Sequence, residues 1–168
     1  MKKKVKVYFD FLCPYCFKGI LDLISLLPAY PDITIDWYPC EAHPRPEKAD
    51  QYSDLAAEAL LYLKGHKGDV ISYIRKLYFA AFIEKNRIDD KELLIQLADG
   101  CDVDLARMKA SMIRRDYRQD VIAINSDIWD VYCAHAVPSY YNRNHMLESR
   151  ENQLISKEQL KEYLDHVV

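Results

Sequence analysis

The spacing of apolar and polar residues divides the chain into strands near both ends and helices between them. Val5 to Phe11 is an extended apolar segment that predicts a buried strand, and an apolar stripe then predicts a helix that ends before Pro28. The members of that stripe are Phe17, Ile20, Leu21, Leu23, Ile24 and Leu27. Alternation over Ile33 to Tyr38 predicts a second strand. Strand, helix and strand together predict a right-handed crossover between two parallel strands.

The middle of the chain has a helical apolar period. Residues 39–50 are polar and contain three prolines, which predicts a loop that leaves the sheet. We expect five helices after it, over about 51–64, 69–86, 89–100, 102–115 and 117–135. Asp89, with Glu92 three residues later, is the predicted N-cap of the third of these helices.

The strand pattern returns after residue 135. Val137 to Tyr141 and His145 to Leu147 predict two short strands, separated by a tight antiparallel turn at Asn142 to Asn144. Ser156 and Gln159 match a capping box at the start of a last helix. The chain is therefore predicted to be α/β, with one discontinuous domain over 1–48 and 136–168 and a helical insertion over 49–135.

The motif Cys13-Pro14-Tyr15-Cys16 lies where the first strand gives way to the first helix. Two cysteines with two residues between them can close a small disulfide ring. A cysteine that caps a helix meets unpaired backbone N–H groups and the positive end of the helix dipole, which favour its nucleophilic thiolate. Pro14 suits the first helical turn, where a missing N–H costs nothing. This context predicts a redox-active dithiol at the carboxyl end of a strand, where open α/β sheets place their chemistry.

Two other interpretations of the cysteine pair stay open. A structural zinc site commonly needs a second close pair, and Cys40, Cys101 and Cys133 form no second C-x-x-C motif, so no metal is expected. The other alternative is an inert pair, either a structural disulfide or two incidental buried thiols. We interpret those three cysteines as small buried apolar residues.

Composition and charge exclude several classes of function. The 168 residues are 50% hydrophobic, which is enough for a sizeable core, and the formal net charge of −3 gives no attraction to nucleic acid or anionic lipid. Lys6 and Asp10 interrupt the apolar run that a signal peptide would need, and no apolar segment is long enough to span a bilayer. We therefore predict a cytoplasmic protein without nucleic-acid or membrane partners.

Three features together resemble the DsbA-like branch of the thioredoxin superfamily, in particular its cytosolic FrnE-like group of predicted dithiol-disulfide isomerases. They are the segment Phe9 to Cys16, the long helical insertion and the segment Ala136 to Tyr140. The resemblance implies a thioredoxin-like fold with an inserted all-helical domain. It also implies a thiol-disulfide oxidoreductase or isomerase that acts on protein or low-molecular-weight disulfides and depends on a separate reductant.

The same resemblance assigns roles to individual residues. Cys13 would be the attacking thiol and Cys16 the resolving thiol. Pro138 would be a cis-proline that packs against the disulfide and presents the backbone of Val137 to a bound substrate. Pro14 and Tyr15, between the cysteines, would belong to the substrate-binding surface.

Asp10, three residues before Cys13, is predicted to modulate the dithiol. It could raise the pKa of the thiols through its charge, or it could cap a loop through hydrogen bonds.

Three alternative functions are weighed against this one. Glutaredoxins share the motif but place their proline soon after the dithiol and carry a Gly-Gly pair, which is absent here. Kappa-class glutathione transferases and hydroxychromene-carboxylate isomerases share the inserted architecture but typically have Ser at the first motif position. A redox-sensing adaptor that binds a partner protein is the third. No cofactor is expected, glutathione stays open as a reductant or co-substrate, and both a monomer and a homodimer are compatible with the sequence.

Overall fold

The computed structural model describes residues 3–143, 145–150 and 152–167, and these residues form four strands and seven α-helices. The strands are β1 (Lys3–Phe9), β2 (Ile33–Pro39), β3 (Ser139–Asn142) and β4 (His145–Glu148). The helices are α1 (Pro14–Leu26), α2 (Asp54–Gly65), α3 (Val70–Tyr78), α4 (Lys91–Leu97), α5 (Leu105–Arg114), α6 (Arg118–Ser126) and α7 (Lys157–Asp165).

The strands form one mixed sheet in the order β2-β1-β3-β4. β1 and β2 are parallel, from Lys3 opposite Ile33 to Phe9 opposite Pro39, which confirms the predicted parallel pair. β3 is antiparallel to both β1 and β4. Because α2 to α6 all lie between β2 and β3 in the chain, the helical segment leaves the sheet at β2 and returns at β3.

Helices α1 and α7 cover one face of the sheet. Tyr140 of β3 packs against Tyr163 of α7, and its hydroxyl lies beside Gly19 of α1. Val7 is opposite Tyr140 in the strand register, so it shares this face and is fully buried. The neighbouring Tyr8 points to the other face, where its hydroxyl donates to Asp127 at the end of α6. The core therefore continues from the sheet into the helical segment.

Two long predicted helices are shorter in the structure. The α-helices over Val70–Tyr78 and Arg118–Ser126 each pass into one π-helical turn, over Phe79–Ile83 and Asp127–Val131. Each helix ends there, a few residues before its predicted end.

The predicted N-cap of the third inserted helix is wrong by one residue. Asp90, with extended backbone angles, caps α4 and accepts a hydrogen bond from the main-chain N of Glu92 at 2.9 Å. Asp89 instead binds the guanidinium of Arg87. The capping box of Ser156 and Gln159 at the start of α7 is confirmed.

The prediction that all three remaining cysteines are buried is wrong for Cys133. Cys40 and Cys101 are buried, but Cys133 follows the second π-helical turn with a left-handed backbone (φ 52°) and is exposed. In the predicted hairpin turn, Arg143 has a left-handed backbone, and Asn144 lies outside the described residues.

Candidate active site

The dithiol lies at the junction of β1 and α1. β1 ends at Phe9, two residues earlier than its apolar run suggested, because Asp10 starts a turn that leads into the helix. Cys13 is the N-cap of α1, with extended backbone angles, and Pro14 occupies the first helical position. The main-chain N–H of Cys16 donates to Sγ of Cys13 at 3.4 Å. The helix N-terminus therefore points an N–H group at this sulfur, as the motif predicts.

The two thiols have different environments. Cys13 is half-buried, whereas Cys16 is completely buried. A hydrogen bond from the Cys16 thiol, together with the first amides of the helix, lowers the pKa of Cys13 below its ordinary value although its burial acts in the opposite direction. Burial holds the pKa of Cys16 well above the ordinary value. The site thus pairs an accessible thiolate with an inaccessible thiol.

Asp10 has both of the predicted effects, hydrogen bonds to its loop and an electrostatic influence on the two thiols. Its Oδ1 accepts from the main-chain N of Leu12 at 2.9 Å and its Oδ2 from the main-chain N of Ala42 at 2.7 Å, so it caps the loop. It is also buried, which raises its own pKa, and its charge raises the pKa of Cys13 and Cys16. A buried carboxyl group therefore stands beside the dithiol.

Val137 and Pro138 lie next to the dithiol, although 124 positions separate Val137 from Cys13. The Val137–Pro138 peptide bond is cis, as predicted. The Cys13 thiol donates to the main-chain O of Val137 at 3.7 Å. A methyl group on Gly19 would lie 2.9 Å from Cγ of Pro138, so this proline packs directly on α1.

Pro14 and Tyr15 lie at the rim of the site. Pro14 is exposed and Tyr15 is partly exposed on the first turn of α1. The structure therefore brings together all of the site residues that the sequence predicted: Asp10, Cys13, Pro14, Tyr15, Cys16, Val137 and Pro138.

Several residues at the site carry no recognisable sequence signal. Tyr78 of α3 donates its hydroxyl hydrogen to the main-chain O of Asp10 at 3.1 Å. Ser149 donates to the main-chain O of Pro138 at 2.8 Å and Ser139 to that of Ala136 at 2.7 Å, so both serines hold the loop around Pro138. Gly19 could have been found, since a glycine inside an otherwise regular helix usually has a packing reason.

The other potential sites lie away from the dithiol. Among the described residues, no group of three or more His, Cys, Asp or Glu side chains could hold a metal ion. An open, largely apolar groove of about 860 Å³ lies at the sheet edge. It is lined by Tyr38 of β2 and by residues in or next to α2 and α6, among them Leu61, Tyr117 and Ile124. Cys13 and Val137 do not line it.

Residues 4–124 match the family model of the DSBA-like thioredoxin domain. The chain belongs to the DSBA-like thioredoxin family. Members of this family act on disulfide substrates and rely on a separate reductant. The predicted fold, thioredoxin-like with an inserted helical segment, is confirmed.

Individual proteins are similar to this chain over most of its length. The uncharacterized protein YwbO of Bacillus subtilis is 27% identical over 160 residues, with 72% of this chain and 76% of that protein covered. DsbA of Chlamydia trachomatis has a TM-score of 0.75 at 12% identity and covers 96% of this chain and 84% of its own. The cytosolic disulfide reductase DsbM of Pseudomonas aeruginosa, solved with GSH, has a TM-score of 0.68 at 14% identity, covering 96% of both chains.

None of the helices in the described part of the chain combines the length and apolar content that crossing a bilayer requires.

Proposed function

We propose that this chain is a dithiol-disulfide oxidoreductase or isomerase in which Cys13 is the attacking thiol and Cys16 the resolving thiol. The observation that supports this most directly is the asymmetry of the pair. Cys13 is partly accessible, caps a helix and has a lowered pKa, while Cys16 is buried and hydrogen-bonded to it. A thiolate nucleophile beside a protected second thiol is what disulfide exchange requires.

The proposed exchange has two steps. The Cys13 thiolate attacks one sulfur of a substrate disulfide, so a Cys13–substrate bond forms and the other substrate sulfur leaves as a thiolate that takes a proton from solvent. Cys16 then loses its proton and attacks Sγ of Cys13, which closes the Cys13–Cys16 disulfide and releases the second substrate thiol. Two electrons pass from the dithiol to the substrate, and a separate reductant restores the dithiol.

The residues around Cys13 would orient the substrate. In this proposal the main-chain O of Val137, which now accepts from the Cys13 thiol, faces the substrate segment next to its reacting cysteine. Pro138 holds that segment of backbone against α1, and Pro14 and Tyr15 contribute to the surface that the substrate covers. Asp10 modulates the ionisation of the thiols.

The wider assignments are proposals as well. Cytoplasmic location and reduction or isomerisation, in preference to net oxidation, are supported by the similarity to a reductase described as cytosolic. Protein and low-molecular-weight disulfides are both proposed substrates, with glutathione as one possible reductant. The division into a thioredoxin-like domain over 1–48 and 136–168 and a helical domain over 49–135 follows the point where the chain leaves the sheet.

Trapping of the mixed disulfide tests the proposal. Cys16→Ser removes the resolving step, so adducts on Cys13 should accumulate when the protein is incubated with a cytosolic extract. The experiment is best done with Cys133→Ser in addition, because Cys133 is an exposed thiol that could form adducts of its own. Mass spectrometry of reducible adducts distinguishes protein substrates from glutathione.

The control for this experiment carries Cys13→Ser, Cys16→Ser and Cys133→Ser together. We expect adducts on Cys13 in the trapping variant and none in the control. Equal adduct yields in the two variants, or no adducts at all, would contradict the proposal. Partner proteins that are retained without any reducible bond would support the adaptor instead.

A further inference from the structure

The segment Cys40–Ala42, which we call the strap, follows β2 and binds the loop that precedes the dithiol. The main-chain N of Cys40 donates to the main-chain O of Phe9 at 2.8 Å, at the end of β1. Two residues later, the main-chain N of Ala42 donates to Oδ2 of Asp10 at 2.7 Å. The strap therefore contacts the start of the active-site loop at two points.

Glu41, the middle residue of the strap, is tied to α6 and the turn that follows it. Its main-chain N donates to Oδ1 of Asn125 at 2.8 Å, and the Trp129 indole donates to its main-chain O at 2.9 Å. Its Oε2 accepts from Asn125 at 2.9 Å and from Arg118 at 3.0 Å. Glu41 is only 1% exposed. A carboxylate buried this deeply is stable only where its partners hold it, so the backbone of the strap has little freedom.

The strap affects the ionisation of Asp10, the carboxyl group next to the dithiol. Burial raises the pKa of Asp10, and the Ala42 amide provides the largest opposing contribution. The charge of Glu41 itself has a smaller effect, in the raising direction. Loss of the Ala42 hydrogen bond would therefore leave Asp10 protonated to higher pH. An uncharged Asp10 no longer raises the pKa of Cys13.

We propose that Glu41 is a positioning residue for the dithiol. Its side chain is anchored to Arg118 and Asn125, and this anchor holds the main-chain N–H of Ala42 on the carboxylate of Asp10. Glu41 thereby determines how much negative charge Asp10 places beside Cys13. The titratable groups around Asp10 come from every element packed there. They are Cys13 and Cys16 of the motif, Cys40 and Glu41 of the strap, and Tyr78 of α3. The inference rests on the proposed function only in taking Cys13 as the reactive thiol.

The test compares the pH dependence of Cys13 alkylation in the reduced full-length protein and three variants. Iodoacetamide is the probe, and peptide mass spectrometry assigns the modification to Cys13. Glu41→Ala removes the anchor, whereas Glu41→Gln keeps a hydrogen-bonding side chain of the same shape. Glu58→Ala is the matched control, since Glu58 is equally buried and paired with Arg115 at 2.9 Å but binds through α2 and not through the strap.

We expect the midpoint of Cys13 alkylation to fall by about half a pH unit in Glu41→Ala, a roughly threefold faster reaction well below the midpoint. Glu41→Gln and Glu58→Ala should keep the wild-type midpoint. An unmoved or raised midpoint in a folded Glu41→Ala variant overturns the proposal. An equal fall of the midpoint in Glu58→Ala also overturns it, because that would indicate a general loosening of the structure. An equal fall in Glu41→Gln overturns it as well, because that would indicate an effect of the Glu41 charge.

A second variant tests the positioning role of Glu41 if Glu41→Ala does not fold. Asn125→Ala removes two hydrogen bonds to Glu41 and no charge. It should lower the Cys13 midpoint in the same direction, and an unchanged midpoint refutes the positioning role. Alkylation needs no disulfide substrate, so failure of this inference and failure of the trapping experiment are separate results.

Discussion

Cys13 and Cys16 lie on the same helical turn, yet their chemistry differs because their surroundings differ. The helix start directs an N–H group at Cys13 and leaves it partly open to solvent, while Cys16 is fully buried. Gly19 lies one turn further along α1, where its surroundings leave no room for a side chain. It lets the ring of Pro138 approach the helix closely enough to bring Val137 to Cys13.

Gly19→Ala should destabilise the protein and slow disulfide exchange. Alanine would favour the helix by about 1 kcal/mol relative to glycine. Its methyl group, however, would lie 2.9 Å from Cγ of Pro138 and 3.1 Å from the hydroxyl of Tyr140, and overpacking of this kind costs about 1–3 kcal/mol. We expect a net loss of about 1 kcal/mol in urea unfolding, with slower exchange because Pro138 must move.

Gly65→Ala at the end of α2 is the control for this substitution. Its methyl group would lie 2.7 Å from the hydroxyl of Tyr117, at the far end of that side chain, and its next nearest atoms belong to the same ring, so rotation of one side chain relieves the contact. This variant should retain its stability and its exchange rate. A Gly19→Ala protein that is as stable and as active as Gly65→Ala would show that close contact between α1 and Pro138 is unimportant.

At the scale of elements, the buried side chain of Tyr78 connects α3 to the active-site loop. Tyr78 is fully buried and donates to the main-chain O of Asp10. Tyr78→Phe should cost about 1 kcal/mol of unfolding free energy, because it leaves a buried carbonyl without this donor. It should also change the rate of Cys13 alkylation, since the Asp10 backbone carries the N–H that donates to Sγ of Cys16.

Tyr73→Phe is the matched control, on the same helix. Tyr73 is equally buried, but its hydroxyl donates to the main-chain O of Leu94 within the helical segment, at 2.9 Å. A similar loss of stability is expected in chemical denaturation, with no change in Cys13 reactivity. If both variants alter that reactivity alike, the contact of α3 with the loop has no specific role.

At the scale of the whole molecule, buried acidic side chains connect the loop after β2 to the inserted helices. Asp54 at the start of α2 is 1% exposed and accepts from Arg45 at 2.7 Å and from Arg115 at 2.8 Å. Burial alone would raise the pKa of Asp54, but the hydrogen bonds from Arg115 and Arg45 outweigh it and hold that pKa below 3.8. The loop, α2 and the end of α5 are thereby joined.

The depressed pKa of Asp54 predicts acid sensitivity. Between the folded-state pKa and 3.8 the unfolded chain binds more protons, so this contribution to stability is complete above 3.8 and is lost as the pH falls through the folded-state value. Asp54→Asn should lower the unfolding free energy by about 1–2 kcal/mol at about pH 6, less than the roughly 3–5 kcal/mol that a broken buried pair costs, because both arginines are partly exposed.

Urea titrations at about pH 6 and about pH 3 measure this difference, which should shrink at the lower pH. Asp116→Asn is the control, because Asp116 pairs with Arg114 on the exposed surface and should matter little at either pH. A pH-independent effect of Asp54→Asn would mean that shape, and not charge, determines the contribution of this residue.

The sequence alone determined the local features of this protein. The cap and first turn of α1 and the Ser156 capping box depend on residues a few positions apart, and hydrogen-bonding chemistry encodes them directly. The parallel pairing of β1 with β2 joins more distant residues, but the apolar period of the strand–helix–strand segment predicts it. Helix ends were less well determined. Asp89 and Asp90 are chemically equivalent caps, and only the contact of Asp89 with Arg87 separates them.

Only the tertiary structure decided which distant residues share the site. The position of Val137 beside Cys13 was predicted through resemblance to a family, and not through any local pattern, because strand order and helix packing bring the two together. Tyr78, Ala42 and Glu41 were not foreseen as neighbours of Asp10, and the exposure of Cys133 was predicted wrongly. Burial and long-range hydrogen bonds depend on how the whole chain packs, and these set the ionisation of the dithiol.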